Sequence, residues 1–85
     1  MRLELLSTSD CHLCELAEEL VLRSLADCAH SVDYEKKDIA LDDTLFVAYG
    51  TRIPVLRLDY DDESILCWPF AEQDVLGLLH QEGDP

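Results

Sequence analysis

Apolar side chains at positions 13, 16, 17, 20, 21, 25 and 28 constrain this chain more than any other feature. Their spacing is that of one helix face, and Glu15, Glu18, Glu19, Arg23 and Asp27 fall mostly off it. The pattern predicts a helix over residues 13 to about 29. Its acidic first half suits the positive N-terminal end of a helix dipole. An apolar stripe this long needs a surface to cover, and short apolar runs stand on either side. Residues 2–7 read as a buried strand, with Leu3 and Leu5 on one face and Leu6 on the other. Between strand and helix, Ser7-Thr8-Ser9-Asp10 is a loop rich in capping residues.

The remaining elements follow in the same way. Residues 31–36 read as a second strand, with Val32 and Tyr34 inward. Residues 38–43 are a turn-like acidic stretch, and Asp42 or Asp43 caps a short helix to about Tyr49, which Gly50 ends. Residues 53–58 and 64–67 are strands joined into an antiparallel hairpin by a polar turn at Asp61-Asp62. Pro69 suits the first turn of a last helix over residues 70–80, with Val75, Leu76, Leu78 and Leu79 as its apolar face, and Gly83 and Pro85 close the chain. The expected class is α/β in the order β-α-β-α-β-β-α. A right-handed crossover makes the first two strands parallel. The result is a four-stranded mixed sheet with helices on both faces. Residues 1–85 are expected to form a single domain.

Composition removes several functions. Nineteen acids against six bases give a net charge of −13. A surface so negative repels nucleic acid and anionic membranes. It either solvates the protein or selects a basic partner. No apolar run is long enough to span a bilayer, and the N-terminal run is too short for a secretory segment, so a cytoplasmic location is the expectation. The run Asp59 to Glu63 lacks the alternation and central Gly of a calcium loop.

Cys11-His12-Leu13-Cys14 stands at the head of the predicted helix. A helix N-terminus offers unpaired N–H groups and partial positive charge, which favour a thiolate. Cys11 would be the exposed attacking sulfur. Cys14, one turn deeper on the same side, would attack the resulting mixed disulfide. His12 modulates Cys11 if protonated and is otherwise an exposed side chain, while Asp10 opposes the thiolate. Cys-x-x-Cys is also half of a zinc site. Cys28 and His30 are poor partners for it: residue 28 lies roughly 20 Å from Cys14 along a continuous helix. Cys67 would add only one ligand. We therefore expect no metal, with Cys28 and Cys67 as small buried hydrophobes. In Thr51-Arg52-Ile53-Pro54-Val55-Leu56, Pro54 opens a strand that should be interior. It is either a trans proline at a strand edge or a cis proline presenting the Ile53 backbone to an extended substrate.

The Cys pair after the first strand, together with Arg52-Ile53-Pro54-Val55-Leu56, resembles the thioredoxin superfamily. It is most similar to the compact bacterial glutaredoxin-like proteins of uncharacterised function, over nearly the whole chain. The resemblance implies a thioredoxin-like fold, Cys11 as nucleophile, Cys14 as resolving thiol, a cis Pro54, and substrate contacts from Arg52, Ile53 and Pro54. The function implied is thiol–disulfide oxidoreduction on a protein or low-molecular-weight disulfide, by a monomer without a bound cofactor. Glutathione is a candidate reductant, yet its usual determinants differ here. His12 and Leu13 replace a Pro and an aromatic, no Lys precedes the pair, and Cys67-Trp68-Pro69-Phe70 stands where a Gly-Gly and an acidic cap would be. Arg52 is then the leading base for a glutathione carboxylate, ahead of Lys36 and Lys37. Trp68 and Phe70 either anchor the last helix or form an apolar rim beside the Cys pair. The competing reading is a non-catalytic binding or adaptor domain that recognises a basic partner.

Overall fold

Strand β1, Arg2–Ser7, lies inside a four-stranded sheet of order β2-β1-β3-β4, buried along nearly its whole length. This computed structural model describes residues 1–28 and 31–83, with side chains of the last helix described to His80. Strand β2 (Asp33–Asp38) pairs parallel to β1, and β3 (Val55–Leu58) pairs antiparallel on its other side. Strand β4 (Ile65–Cys67) completes an antiparallel hairpin with β3. Helices α1 (His12–Ala26), α2 (Asp43–Tyr49) and α3 (Glu72–Gly83) fall between and after the strands in the expected order.

The period-two alternation of β1 divides its leucines between two cores. Leu3 and Leu5, with Leu56 and Leu58 of β3, are fully buried against Ala17 and Val21 of α1 and Val75, Leu78 and Leu79 of α3. Each such leucine stabilises the fold by about 1.5–3 kcal/mol relative to an exposed one. On the other face, Leu6 and Val55 meet Ile39, Leu45 and Tyr49. Helix α2 is short, and the rest of this face carries charge. Glu4 and Arg57 stand opposite each other on β1 and β3, both buried. Glu4 Oε1 accepts from Arg57 Nε at 3.0 Å and Nη2 at 2.9 Å. Arg57 Nη1 reaches Asp62 Oδ1 at 3.1 Å, and the Tyr49 hydroxyl donates to the same oxygen.

Several boundaries differ from expectation, each for a physical reason. Helix α1 ends at Ala26, with Asp27 as its C-cap. Its buried face is Cys14, Ala17, Val21 and Ser24, while Leu13 and Leu16 are exposed. Small side chains at 14, 17 and 24 bring the helix close to the sheet, so the contact face is rotated from the leucine stripe. The buried Ser24 hydroxyl is satisfied by the Leu20 carbonyl at 2.9 Å. Strand β2 starts two residues late, because parallel pairing with β1 sets it (Arg2 opposite Asp33, Ser7 opposite Asp38). As an edge strand it tolerates Glu35, Lys36 and Lys37. Val32 precedes it and still packs on the main core, as does Tyr34. Asp38 Oδ1 accepts from Ala40 N at 2.9 Å and caps a 3-10 turn, Ile39–Leu41.

The β3–β4 loop spans residues 59–63, closed by Leu58 N donating to Ser64 O at 3.0 Å, and so contains Asp61-Asp62 as expected. Asp61 N donates to Leu58 O at 3.0 Å, with Asp59 and Tyr60 in the left-handed region at φ 52° and 60°. Asp42 caps α2 through Leu45 N. Gly50 ends that helix, but at φ −54° it is right-handed. Its need for glycine is steric, since a Cβ there would sit 2.5 Å from the Phe46 carbonyl oxygen. Pro69 precedes α3 and is not in its first turn. The helix starts at Glu72, where Asp74 accepts from Ala71 N at 2.8 Å. Ala29, His30 and Pro85 lie outside the described residues.

Candidate active site

Cys11 is the N-cap of α1, and its sulfur accepts the Cys14 backbone N–H at 3.2 Å. Asp10 before it has φ 62°, a left-handed turn that Asp tolerates better than most residues and that swings the chain from β1 into the helix. Cys11 and Cys14 are joined in a disulfide with Cα atoms 5.2 Å apart. Cys14 is almost fully buried at 1 % exposure, while Cys11 is half-buried. Of the two sulfurs, Cys11 is thus the more exposed, and it receives a helix-terminal N–H that would stabilise its thiolate.

The Ile53–Pro54 peptide bond is cis. Pro54 is buried and directly precedes Val55, which pairs with Leu6. This register puts Pro54 at the sheet end where β1 runs into the loop to Cys11. Its carbonyl accepts from Trp68 N at 3.1 Å, tying it to the end of β4. A second cis bond joins Trp68 and Pro69. Ile53 is half-buried against the α2 core.

His12, expected as a modulator, and Arg52, expected as a substrate contact, each have a partner within the chain. His12 Nδ1 lies 3.5 Å from Glu15 Oε2, both side chains exposed. Arg52 lies over the Tyr49 ring at 4.8 Å and donates to the Ala48 carbonyl at 3.4 Å. Tyr49 is held in turn by Asp62. Burial, then Asp62, pushes the Tyr49 hydroxyl above its ordinary range. The bonds from Tyr49 and then Arg57 hold the Asp62 carboxyl below its own. Burial alone would lower the Arg57 guanidinium, but Glu4, Asp62 and Tyr49 together outweigh it and the net direction is up.

A cavity of ≈ 270 Å³ opens beside Cys11, walled in part by Ser7, Asp10, Glu15, Lys36 and Asp38. Glu15 and Asp38 did not stand out as site residues in sequence. Topology is the signal that finds them, because parallel strands β1 and β2 end together, with Ser7 opposite Asp38, beside the start of α1.

The other cysteines and aromatics resolve differently. Cys28 is half-buried on the main core beyond the far end of α1. Cys67, expected to be buried, is exposed because it closes the edge strand β4. Phe70 is a core residue, and Trp68 packs edge-on against it at 5.2 Å, so the pair anchors the start of α3. Among the described residues, no three His, Cys, Asp or Glu side chains are grouped to hold a metal. No helix among them is long and apolar enough to cross a membrane.

Residues 2–80 match the family model of the glutaredoxin-like domain (DUF836). The X-ray structure of the Northeast Structural Genomics target protein XcR50 from X. campestris is 32% identical, covering 98% of this chain and 99% of that one, with a TM-score of 0.71. The solution structure of the same target is 34% identical over 100% and 97%, with a TM-score of 0.65. No curated protein matches. By sheet order, helix placement and family match, the chain has a thioredoxin-like fold and belongs to the glutaredoxin-like domain family.

Proposed function

We propose that this protein is a dithiol–disulfide oxidoreductase, acting as a cytoplasmic monomer on protein or low-molecular-weight disulfides. One observation carries the reading: Cys11 and Cys14 form a disulfide at the first turn of α1, the outer sulfur accepting the inner residue's N–H. In the reduced protein the Cys11 thiolate attacks one sulfur of a substrate disulfide. The substrate S–S bond breaks, its first thiolate leaves and takes a proton, and a mixed disulfide forms on Cys11. The Cys14 thiolate then attacks Cys11 Sγ and expels the second thiol. The dithiol has lost two electrons, the substrate has gained them, and two thiols leave. An external dithiol, or two molecules of a monothiol such as glutathione, returns the pair to its reduced form.

Pro54 and Ile53 are the substrate's backbone platform in this reading, at the sheet end that carries the loop to Cys11. Arg52 is a secondary contact, because its guanidinium is already engaged with α2. The mechanism needs no cofactor. The test is turnover of bis(2-hydroxyethyl) disulfide, coupled to an external reductant. Cys11→Ser should abolish it, and Cys14→Ser should remove intramolecular resolution. Unchanged turnover in Cys11→Ser would refute the reading. The adaptor alternative predicts instead a basic partner whose binding survives Cys11→Ser.

A further inference from the structure

We infer that the cavity beside Cys11 selects small disulfides bearing positive charge, of the aminothiol type, over anionic ones such as glutathione disulfide. The inference rests on the oxidoreductase reading and names its substrate class. The reactive sulfur in the wall makes this cavity a site, and the surrounding acids set its charge.

Three carboxylates, Asp10, Glu15 and Asp38, face the cavity, against one ammonium, Lys36. That ammonium is shared: Lys36 Nζ lies 3.5 Å from Glu18 Oε1, outside the wall, and Glu18 also accepts from the Tyr34 hydroxyl. Asp38 spends one oxygen on Ala40 N, a neutral donor that leaves its charge in place. His12 pairs with Glu15 but is not part of the wall. The volume of ≈ 270 Å³ is below the usual range for whole ligands, so an aminoethyl arm fits better than a tripeptide. Arg52, the basic group at the cis-proline loop, is not part of this wall and lies instead over the Tyr49 ring. The net charge of −13 adds the same sign at longer range.

The chemistry is that of the proposed exchange: reduced protein plus one disulfide gives the Cys11–Cys14 disulfide plus two thiols. The substrate's positive group rests among the carboxylates while its near sulfur meets Cys11.

The test uses three disulfides of similar size and different charge: cystamine, bis(2-hydroxyethyl) disulfide and 3,3′-dithiodipropionate. Each oxidises the pre-reduced protein, and the second-order rate is read by acid quench, alkylation and mass spectrometry. Each rate is divided by that of the same disulfide with dithiothreitol, which removes intrinsic reactivity. The expected order is cationic, neutral, anionic, with roughly tenfold or more between the extremes at low salt. The spread should narrow in Glu15→Gln combined with Asp38→Asn, and again in 0.5 M salt. Cys11-dependent oxidation at equal normalised rates, or faster with the anionic disulfide, would overturn the selectivity and leave the oxidoreductase reading standing. A spread that the double variant leaves unchanged would overturn the role of the cavity. No Cys11-dependent oxidation by any of the three would overturn both.

Discussion

The two faces of the sheet solve burial in different ways. Under α1 and α3, leucines from β1 and β3 form one apolar cluster with Ala17, Val21, Val75, Leu78 and Leu79. Under α2, the same two strands bury Glu4 and Arg57 next to Leu6 and Val55. On the first face, stability follows area removed from water. On the second, desolvation offsets the attraction between the charges, and stability depends on both partners being present. Cys11 and Cys14 stand at the start of the helix on the apolar face, and the strand after Pro54 carries side chains to both faces. The charged face holds the hairpin turn and the end of α2 through Asp62 and Tyr49.

The largest expected effect breaks the ion pair. Glu4→Ala takes the bidentate partner from a buried guanidinium, leaving it only the exposed Asp62, and should cost about 3 kcal/mol in urea denaturation. Replacing both partners, Glu4→Leu with Arg57→Met, should return most of that loss. A double variant as unstable as the single one would remove the distinction between the faces. On the apolar face, Leu58→Ala should cost about 2–5 kcal/mol, set by the cavity it leaves.

A smaller effect concerns α1 and the edge strand. The Tyr34 hydroxyl donates to Glu18 at 2.7 Å, and burial followed by that carboxylate raises it far above its ordinary range. Tyr34→Phe should cost about 1.5 kcal/mol near neutral pH, as a hydrogen bond to a charged group does. Because the folded-state value is raised, this contribution is complete below about pH 10, the unfolded value, and is lost as pH rises through the folded one. Across pH 8 to 12, the gap between the urea midpoints of wild type and Tyr34→Phe should therefore hold up to about pH 10 and narrow above it. A constant gap would contradict the titration.

The smallest effect is at Asp62, which is exposed and whose carboxyl is lowered by Tyr49 and then Arg57. A lowered group contributes stability above about pH 3.9, the unfolded value, and loses it as pH falls through the folded one. Wild type should lose its advantage over Asp62→Asn in that acid window. An advantage that persists at the lowest pH would show that the contact is not electrostatic.

Element order and the leucine faces were legible in sequence because both follow from periodicity. Leu3 and Leu5 against Leu6 needed only alternation. The position of Cys11 at the start of α1 needed only a helical stripe behind a capping loop. What periodicity could not reach was decided by partners distant in sequence. Strand β2 took its limits from pairing with β1, not from Val32 and Tyr34. The contact face of α1 depended on small residues, Cys14 and Ser24, that a search for large apolar side chains passes over. Nothing in β1 alone marks Glu4 for burial, which depends on β3 placing Arg57 opposite it. Gly50 was the right residue for a different reason, proximity to Phe46 O and not a left-handed turn. Asp38 entered the cavity wall only through the parallel register.

The central claim is that Cys11 is the attacking sulfur and Cys14 the resolving one. Its most direct test is to mix reduced Cys14→Ser with bis(2-hydroxyethyl) disulfide and map the trapped mixed disulfide by mass spectrometry. The account predicts one adduct, on Cys11, that disappears when Cys11→Ser is added. An adduct confined to the exposed Cys67, with Cys11 unmodified, would contradict it.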